Sequence, residues 1–380
     1  MSIESASSIM HEHPRTRWTL PEIFLDNDNW INYLMEHKDV LRRVEIEEVE
    51  KMLKCSNGAY GYSTYKCKDC QKTFTVPFTC KSRLCTHCGK KYADQWAGEL
   101  SLRMFDVTHR HMVFTIAHTL RQFFEKDRSH WKVIMDSVND TMVDFMNYSN
   151  KTDGLRPGII CVFHPYGKDL KFNPHVHVII TEGGLTKDDK WMDVNYFDYD
   201  GLRKSWQYHI LTNLKKAIPN TRENRDLINS LFKNRENGFY VYAKNVIESP
   251  KEVAKYIGRY VRHPAIAESR ISDYNGKTVT FYYEKDDGER VDVSMSVMEF
   301  IGRIIKFVPD RQFKMIRHFG LYSRRAFGKA KKIMEELKLY NLERVKYLEA
   351  LIKNVWTLKC PECGGEVELI GKQIPVLGET

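Results

Sequence analysis

Apolar and polar positions alternate along Phe172-Asn-Pro-His-Val-His-Val-Ile-Ile180, and β-branched residues dominate beyond Pro174, which predicts a β-strand. Side chains alternate across a strand, so Val176, Val178 and Ile180 share the face turned to a core, while His175 and His177 share the other. Two imidazoles about 6–7 Å apart along one strand can converge on a divalent ion. The chain holds two other His-x-His pairs, His11-Glu-His13 in a polar tail and His109-Arg-His111 with a charge between its histidines. Only His175-Val-His177 has an apolar spacer to anchor the back of its strand.

The same patterning places further strands at Met112–Ile116, Ile159–His164 and Gly238–Ala243, and a hairpin at 279–283 and 290–294. A polar turn around Gly167 joins the second of these to the His-x-His strand, which makes that pair antiparallel. Helical periodicity covers 119–148, with Phe123, Phe124, Trp131, Ile134, Met135, Val138, Met142 and Phe145 on one face, and recurs over 201–216, 223–233 and 296–306. Two short helices fit Leu20 to Lys54, and an amphipathic helix follows through Tyr92, Trp96 and Leu100. The expected class is α+β, an antiparallel sheet backed by helices. Four segments are expected: a helical 1–54, a cysteine-rich 55–95, the α+β body 96–309 and a basic helical 310–380.

Ser249-Pro250-Lys251-Glu252 starts a helix as a capping box with Pro at its first position. Tyr256 and Tyr260 then stand four apart on one face, about 6 Å from each other. Val253, Ile257 and Val261 supply a separate apolar stripe, and Lys255, Arg259 and Arg262 surround the tyrosines with positive charge. Two core tyrosines at helical spacing are commoner in general, but here packing is already provided for and the neighbours are cationic.

Cys67-x-x-Cys70 and Cys85-x-x-Cys88, separated by fourteen residues, form two knuckles of the kind that hold Zn²⁺ tetrahedrally. A segment this short needs an ion for much of its stability, and these four cysteines are expected to bind one structural zinc. Cys55 and Cys80 either complete a second site, with Cys360 and Cys363 of a lone C-terminal knuckle, or are small buried residues. Lys81, Arg83, Lys90 and Lys91 around the knuckles suit phosphate contacts. Past Pro309 the chain turns basic; Arg317, Arg324 and Arg325 lie among Phe313, Phe319, Tyr322 and Phe327, a mixture that suits single-stranded nucleic acid.

Composition narrows the classes. The 380 residues are 42% hydrophobic and 12% aromatic, enough for real cores and against wholesale disorder. A net charge of +9 suits a polyanionic partner. Nine cysteines, an odd number clustered as Cys-x-x-Cys, favour metal thiolates in a reducing compartment over disulfides. The first residues lack the apolar stretch of a signal peptide, and no apolar run reaches bilayer length.

His-hydrophobic-His upstream of Tyr-x-x-x-Tyr resembles the HUH nucleases in replication-initiator order. More closely, residues 50–325 resemble the two-tyrosine rolling-circle transposases of the insertion-sequence ninety-one family, relatives of the Helitrons, which carry an N-terminal zinc-binding domain. The resemblance rests, in family order, on Cys80-Lys-Ser-Arg-Leu-Cys85-Thr-His-Cys88, His109-Arg-His-Met-Val-Phe-Thr-Ile116, His164-Pro-Tyr-Gly167, Asn173-Pro-His-Val-His177, Thr181-Glu-Gly-Gly184, Tyr256-Ile-Gly-Arg-Tyr260 and Ile316-Arg-His-Phe-Gly-Leu321. It implies an HUH palm, with nicking and rejoining of single-stranded DNA through 5′-phosphotyrosine at Tyr256 and Tyr260. It also implies catalytic Mg²⁺ or Mn²⁺ at His175 and His177, a zinc module that recognises transposon ends, and a prokaryotic cytoplasmic setting at the nucleoid. Helitrons place a Gln shortly after the second tyrosine, where this chain has Ala265. The third ligand expected instead is His164, at the end of the preceding strand, with Glu268 as the alternative. A plasmid-type replication initiator would use the same chemistry on an origin; a non-catalytic zinc-ribbon DNA-binding protein would use none of it.

Overall fold

A computed structural model describes residues 18–194, 198–233, 237–247, 252, 265–285 and 287–375. In chain order its strands are β1 (Tyr62–Cys67), β2 (Thr73–Pro77), β3 (His109–Thr115), β4 (Gly158–Tyr166), β5 (Phe172–Thr181), β6 (Gly183–Leu185), β7 (Trp191–Asp193), β8 (Val241–Ile247), β9 (Ile271–Tyr274), β10 (Thr278–Glu284), β11 (Arg290–Ser296), β12 (Ile316–Gly320) and β13 (Val367–Gln373). The chain divides into two compact units. One comprises residues 1–90, 264–308 and 352–380; the other comprises 91–263 and 309–351. The division differs from the four consecutive segments expected, because strand pairing joins stretches far apart in the chain.

The second unit is built on a five-stranded sheet of order β12-β4-β5-β3-β8, every neighbouring pair antiparallel. This is the antiparallel sheet backed by helices that the pattern predicts. Val176, Val178 and Ile180 of β5, Met112 and Phe114 of β3 and Cys161 and Phe163 of β4 line one face. They are buried against the helices Trp131–Ser149 and Tyr199–Ala217, which contribute Ile134, Val138, Trp206 and Ile210 to the same core. Fully burying each Val, Ile or Phe is worth about 1.5–3 kcal/mol, so the apolar spacer between His175 and His177 holds β5 in register. The long helical stretch expected over 119–148 is broken at Asp127, whose carboxylate accepts from Ser129 N–H at 2.8 Å and separates Arg121–Lys126 from Trp131–Ser149.

Pairing between β4 and β5 slips where His164 faces His175 but Tyr166 faces Phe172, so Asn173 and Pro174 stand against Pro165. This bulge accommodates a proline inside a central strand. The segment read as basic and helical past Pro309 instead begins with β12, an edge strand on β4. The helices Phe327–Glu336 and Leu342–Trp356 follow it.

In the first unit, β9, β10 and β11 form an antiparallel sheet whose hairpin matches the expected one, followed by the helix Val297–Ile305. Three helices rather than two occupy the N-terminal stretch: Leu20–Leu25, Asn29–His37 and Arg43–Leu53. A second sheet has the order β13-β1-β2, in which Tyr62 faces Gln373 and Cys67 faces Val367.

Candidate active site and metal centres

Antiparallel register puts His164 opposite His175 and Val162 opposite His177, all on the sheet face away from the helix-packed core. One nitrogen from each of His164, His175 and His177 lies within 4.8 Å of the others. Their ring centroids are 5.0–5.5 Å apart. His175 Nδ1 lies 2.7 Å from the Asn173 carbonyl, which only accepts, so Nδ1 carries the proton and Nε2 keeps a lone pair for a metal. The bulge that absorbs Pro174 thus also turns the Asn173 carbonyl toward that imidazole. Burial pushes the pKa of His175 and His177 below the ordinary histidine value, for His177 aided by the neighbouring imidazoles, so both are neutral near pH 7, the state a metal would need. Glu268 is not part of this group. Its carboxylate accepts from Leu20 N–H at 3.0 Å, at the N-terminus of the helix Leu20–Leu25 in the other unit.

A fourth histidine, not among the ligands expected from the sequence, joins them. His111 of β3 lies on the same sheet face, buried, with Nε2 3.1 Å from His177 Nδ1 and its ring stacked at 5.3 Å. Burial holds its pKa down to about 4. Engaging Nδ1 of His177 leaves Nε2 to face an ion. The signal was available: His111 and Val113 alternate in step with the His-x-His strand once β3 and β5 are paired. Arg110 between the two histidines points to the opposite side, where it pairs with Glu182 and donates to the Tyr199 hydroxyl at 2.8 Å.

The knuckle cysteines separate into two groups rather than one. Cys55, Cys80, Cys85 and Cys88 cluster, with Sγ–Sγ separations of 3.7 Å for Cys55–Cys88 and 3.6 Å for both Cys80–Cys88 and Cys55–Cys85. Four thiolates around zinc at about 2.3 Å have edges of about 3.8 Å, so this donor set fits. The helix Arg43–Leu53 pins the loop: its Glu48 carbonyl accepts from Ser82 Oγ at 2.7 Å and its carboxylate from Arg83 N–H at 2.6 Å. Hydrogen bonds from the Cys80 and Cys85 thiols pull the Cys88 pKa far down, while hydrogen bonding to Cys80, and then to Cys88, pushes Cys85 up. Cys67 and Cys70, expected on the same ion as Cys85 and Cys88, instead lie with Cys360 and Cys363. The reason is register: β1 ends at Cys67 alongside the start of β13, just after Cys363.

Tyr256, Tyr260, Lys255, Arg259 and Arg262 lie outside the described residues. Arg317, expected to contact DNA, pairs with Asp136 and lies 4.7 Å above the Phe319 ring. Arg324 and Arg325 are exposed after β12, Lys81 is exposed and Arg83 is half-buried. No helix among the described residues is long and apolar enough to cross a membrane.

Residues 158–330 match a family described as "Putative transposase", and residues 26–116 match the family described as "Transposase zinc-binding domain". The transposase for insertion sequence element IS801 of Pseudomonas savastanoi pv. phaseolicola is 30% identical over 335 residues, 84% of this chain and 80% of that one. Among solved structures, the origin-recognition/nickase domain of human bocavirus non-structural protein 1 covers 55% of this chain and 99% of its own, at 11% identity and TM-score 0.30. The nuclease domain of the minute virus of mice protein covers 57% and 83%, at 13% identity and TM-score 0.20. Both structural likenesses are too slight to bear on the site. The cysteine groups, the histidine face and the sequence matches converge, and the chain belongs to the family of two-tyrosine, insertion-sequence ninety-one transposases with an N-terminal zinc-binding domain, of which the IS801 enzyme is a relative.

Proposed function

We propose that this transposase nicks and rejoins single-stranded DNA by a rolling-circle route, with Tyr256 and Tyr260 as nucleophiles. The observation that carries the reading is the convergence of His164, His175 and His177 on one sheet face. A divalent ion there would polarise the scissile phosphate and offset charge building on its oxygens. Three imidazoles leave positions free for phosphate and water, and their nitrogens favour Mn²⁺ over Mg²⁺ within the pair expected.

The protein's own part is positional. His164, His175 and His177 hold their nitrogens in place, and His111 and the Asn173 carbonyl fix two of the ring orientations. A tyrosine hydroxyl attacks phosphorus, the bond to the 3′ oxygen breaks, and that oxygen leaves as a 3′-OH once protonated. The 5′-phosphotyrosine retains the energy of the phosphodiester, so a later 3′-OH can reverse the step and join strands without ATP. If the helix expected from the sequence forms, Tyr256 and Tyr260 would stand about 6 Å apart along its axis, too far to reach one phosphate in one pose, so one would attack while the other waits for a second strand. Lys81, Arg83, Lys255, Arg259, Arg262, Arg324 and Arg325 would contact the DNA backbone; Arg317, tied to Asp136, is the weakest member of that set.

The test is incubation with single-stranded DNA carrying element ends and Mn²⁺, followed by mass spectrometry for tyrosine–nucleotide adducts. Each single Tyr→Phe variant should lose transposition, at least one should still nick, and the double variant should form no adduct. An adduct in the Tyr256→Phe, Tyr260→Phe double variant would place the nucleophile elsewhere.

A further inference from the structure

The matched zinc-binding domain ends at residue 116, and the matched transposase region ends at 330. Cys360 and Cys363 lie beyond both, yet their sulfurs come to 3.6 Å from Cys70 and 3.5 Å from Cys67. We propose that these four cysteines hold a second structural zinc, which clasps the C-terminal strand to the N-terminal ribbon and makes the zinc-binding domain discontinuous in sequence.

Three further observations support it. The two Cys-x-x-Cys turns are copies of one backbone design. In each, the first cysteine's N–H bonds to the carbonyl five residues on, Cys67 to Lys72 at 2.9 Å and Cys360 to Gly365 at 3.0 Å. In each, the residue after the second cysteine has positive φ, Gln71 at 61° and Gly364 at 72°. A Cys-x-x-Cys turn of this kind aims two sulfurs and nearby backbone N–H groups at one ion. Cys85-x-x-Cys88 is built differently, because Cys85 immediately precedes the helix Thr86–Arg103 and its carbonyl accepts from Gly89 N–H at 2.8 Å.

The two turns are also fitted to each other. Lys72 pairs with Glu362 at 2.9 Å and Lys68 with Glu366 at 3.1 Å, while Lys68 N–H donates to the Glu366 carbonyl at 2.8 Å. A Cβ on Gly365 would stand 2.0 Å from the Asp69 carboxylate, so a larger residue there would have to displace that side chain. Finally, β13 continues the pairing by lying along the whole of β1. Exposed ion pairs and one edge strand are thin support for a contact that closes a loop of nearly three hundred residues; four thiolates on one ion are not.

The two zincs should differ in lability. Cys70 and Cys363 are exposed, whereas Cys80, Cys85 and Cys88 are buried and Cys55 is half-buried. A chelator or oxidant in solution reaches the clasp first.

Elemental analysis of the full-length chain purified without added metal tests this, alongside cobalt-substituted protein read by its thiolate-to-cobalt absorption. Wild type should carry two zincs. The Cys360→Ser, Cys363→Ser variant and the Cys67→Ser, Cys70→Ser variant should each carry one and show half the cobalt–thiolate intensity. Zinc release to a chromogenic chelator should be biphasic in wild type, with the fast phase absent from both variants. A wild-type protein with one zinc, or a Cys360→Ser, Cys363→Ser variant that keeps two, overturns the proposal. If one pair of serines misfolds, the other pair and the wild-type release kinetics still decide it.

Discussion

The clasp cysteines and the histidine face are both three- or four-residue groups that could hold a metal ion, but they are assembled in opposite ways. Cys67 and Cys70 meet Cys360 and Cys363 across almost the whole chain, on turns that carry their own backbone design. His164, His175 and His177 come from two adjacent strands, and their geometry is inherited from a sheet whose other face is fully buried. Four thiolates close a coordination sphere and suit a structural ion. Three imidazoles leave it open, which is what chemistry on a phosphate requires. The lesson is that saturation of the ligand set, rather than burial, separates the two roles: Cys70 and Cys363 are exposed while His177 is almost covered.

The largest effect that would break this comparison concerns the open set. His175→Ala and His177→Ala should each lower cleavage roughly a thousandfold or more, since losing the ion forfeits several kcal/mol of charge stabilisation. Binding to the same DNA, measured by fluorescence anisotropy, should stay within a few fold, because phosphate contacts carry affinity. Wild-type cleavage by either variant in both Mg²⁺ and Mn²⁺ would end the metal assignment.

His111 sharpens the comparison, since a cysteine site has no equivalent supporting ring. His111→Ala should weaken Mn²⁺ binding roughly 10–100-fold, as loss of an outer partner of a ligating histidine does. Electron paramagnetic resonance titration of free Mn²⁺ measures this without relying on activity. His111→Gln, which keeps a polar group near His177 Nδ1, should recover part of the loss, whereas a merely space-filling role predicts recovery by Leu instead.

A smaller effect follows from burial alone. His109, His111 and His318 are held neutral by desolvation, with pKa values near 3, 4 and 4. The unfolded chain takes up protons below about pH 6.5 while the folded one does not, so stability is complete above that pH and falls as acid is added. Each such group can contribute up to about 1.4 kcal/mol per pH unit in that window. Urea midpoints followed by the fluorescence of Trp131 and Trp206, both buried in the histidine-bearing unit, should therefore drop between pH 7 and pH 5.5. An unchanged midpoint would show that these histidines are not buried neutral.

Local pattern was enough for much of the molecule. Alternation in Val176-His-Val178 set the sidedness of β5, and the polar turn at Gly167 set its antiparallel pairing with β4. His164 was legible because it ends a strand joined to β5 by a short connection. The capping signal at Ser249-Pro250 and the pair Tyr256 and Tyr260 lie outside the described residues.

What the sequence could not convey was every relation that depends on pairing across long separations. Cys-x-x-Cys spacing identifies a knuckle but says nothing about its partner, since the ion selects by distance in space. The nearest knuckle in sequence, Cys85-x-x-Cys88, therefore looked like the mate of Cys67-x-x-Cys70. Only the register of β1 on β13 assigned that role to Cys360 and Cys363. The charge beside His111 hides it in the sequence, but alternation sends Arg110 to Glu182 and turns His111 to the face of His177. Arg317 looked like one more free cation in a basic run until the β12 pairing brought it to Asp136. Sequence by itself determined residue chemistry and strand sidedness, because these act over a few neighbouring residues. Tertiary structure decided which ligands share an ion and which charges are already spent, because both are set by contacts between segments the chain separates by tens to hundreds of residues.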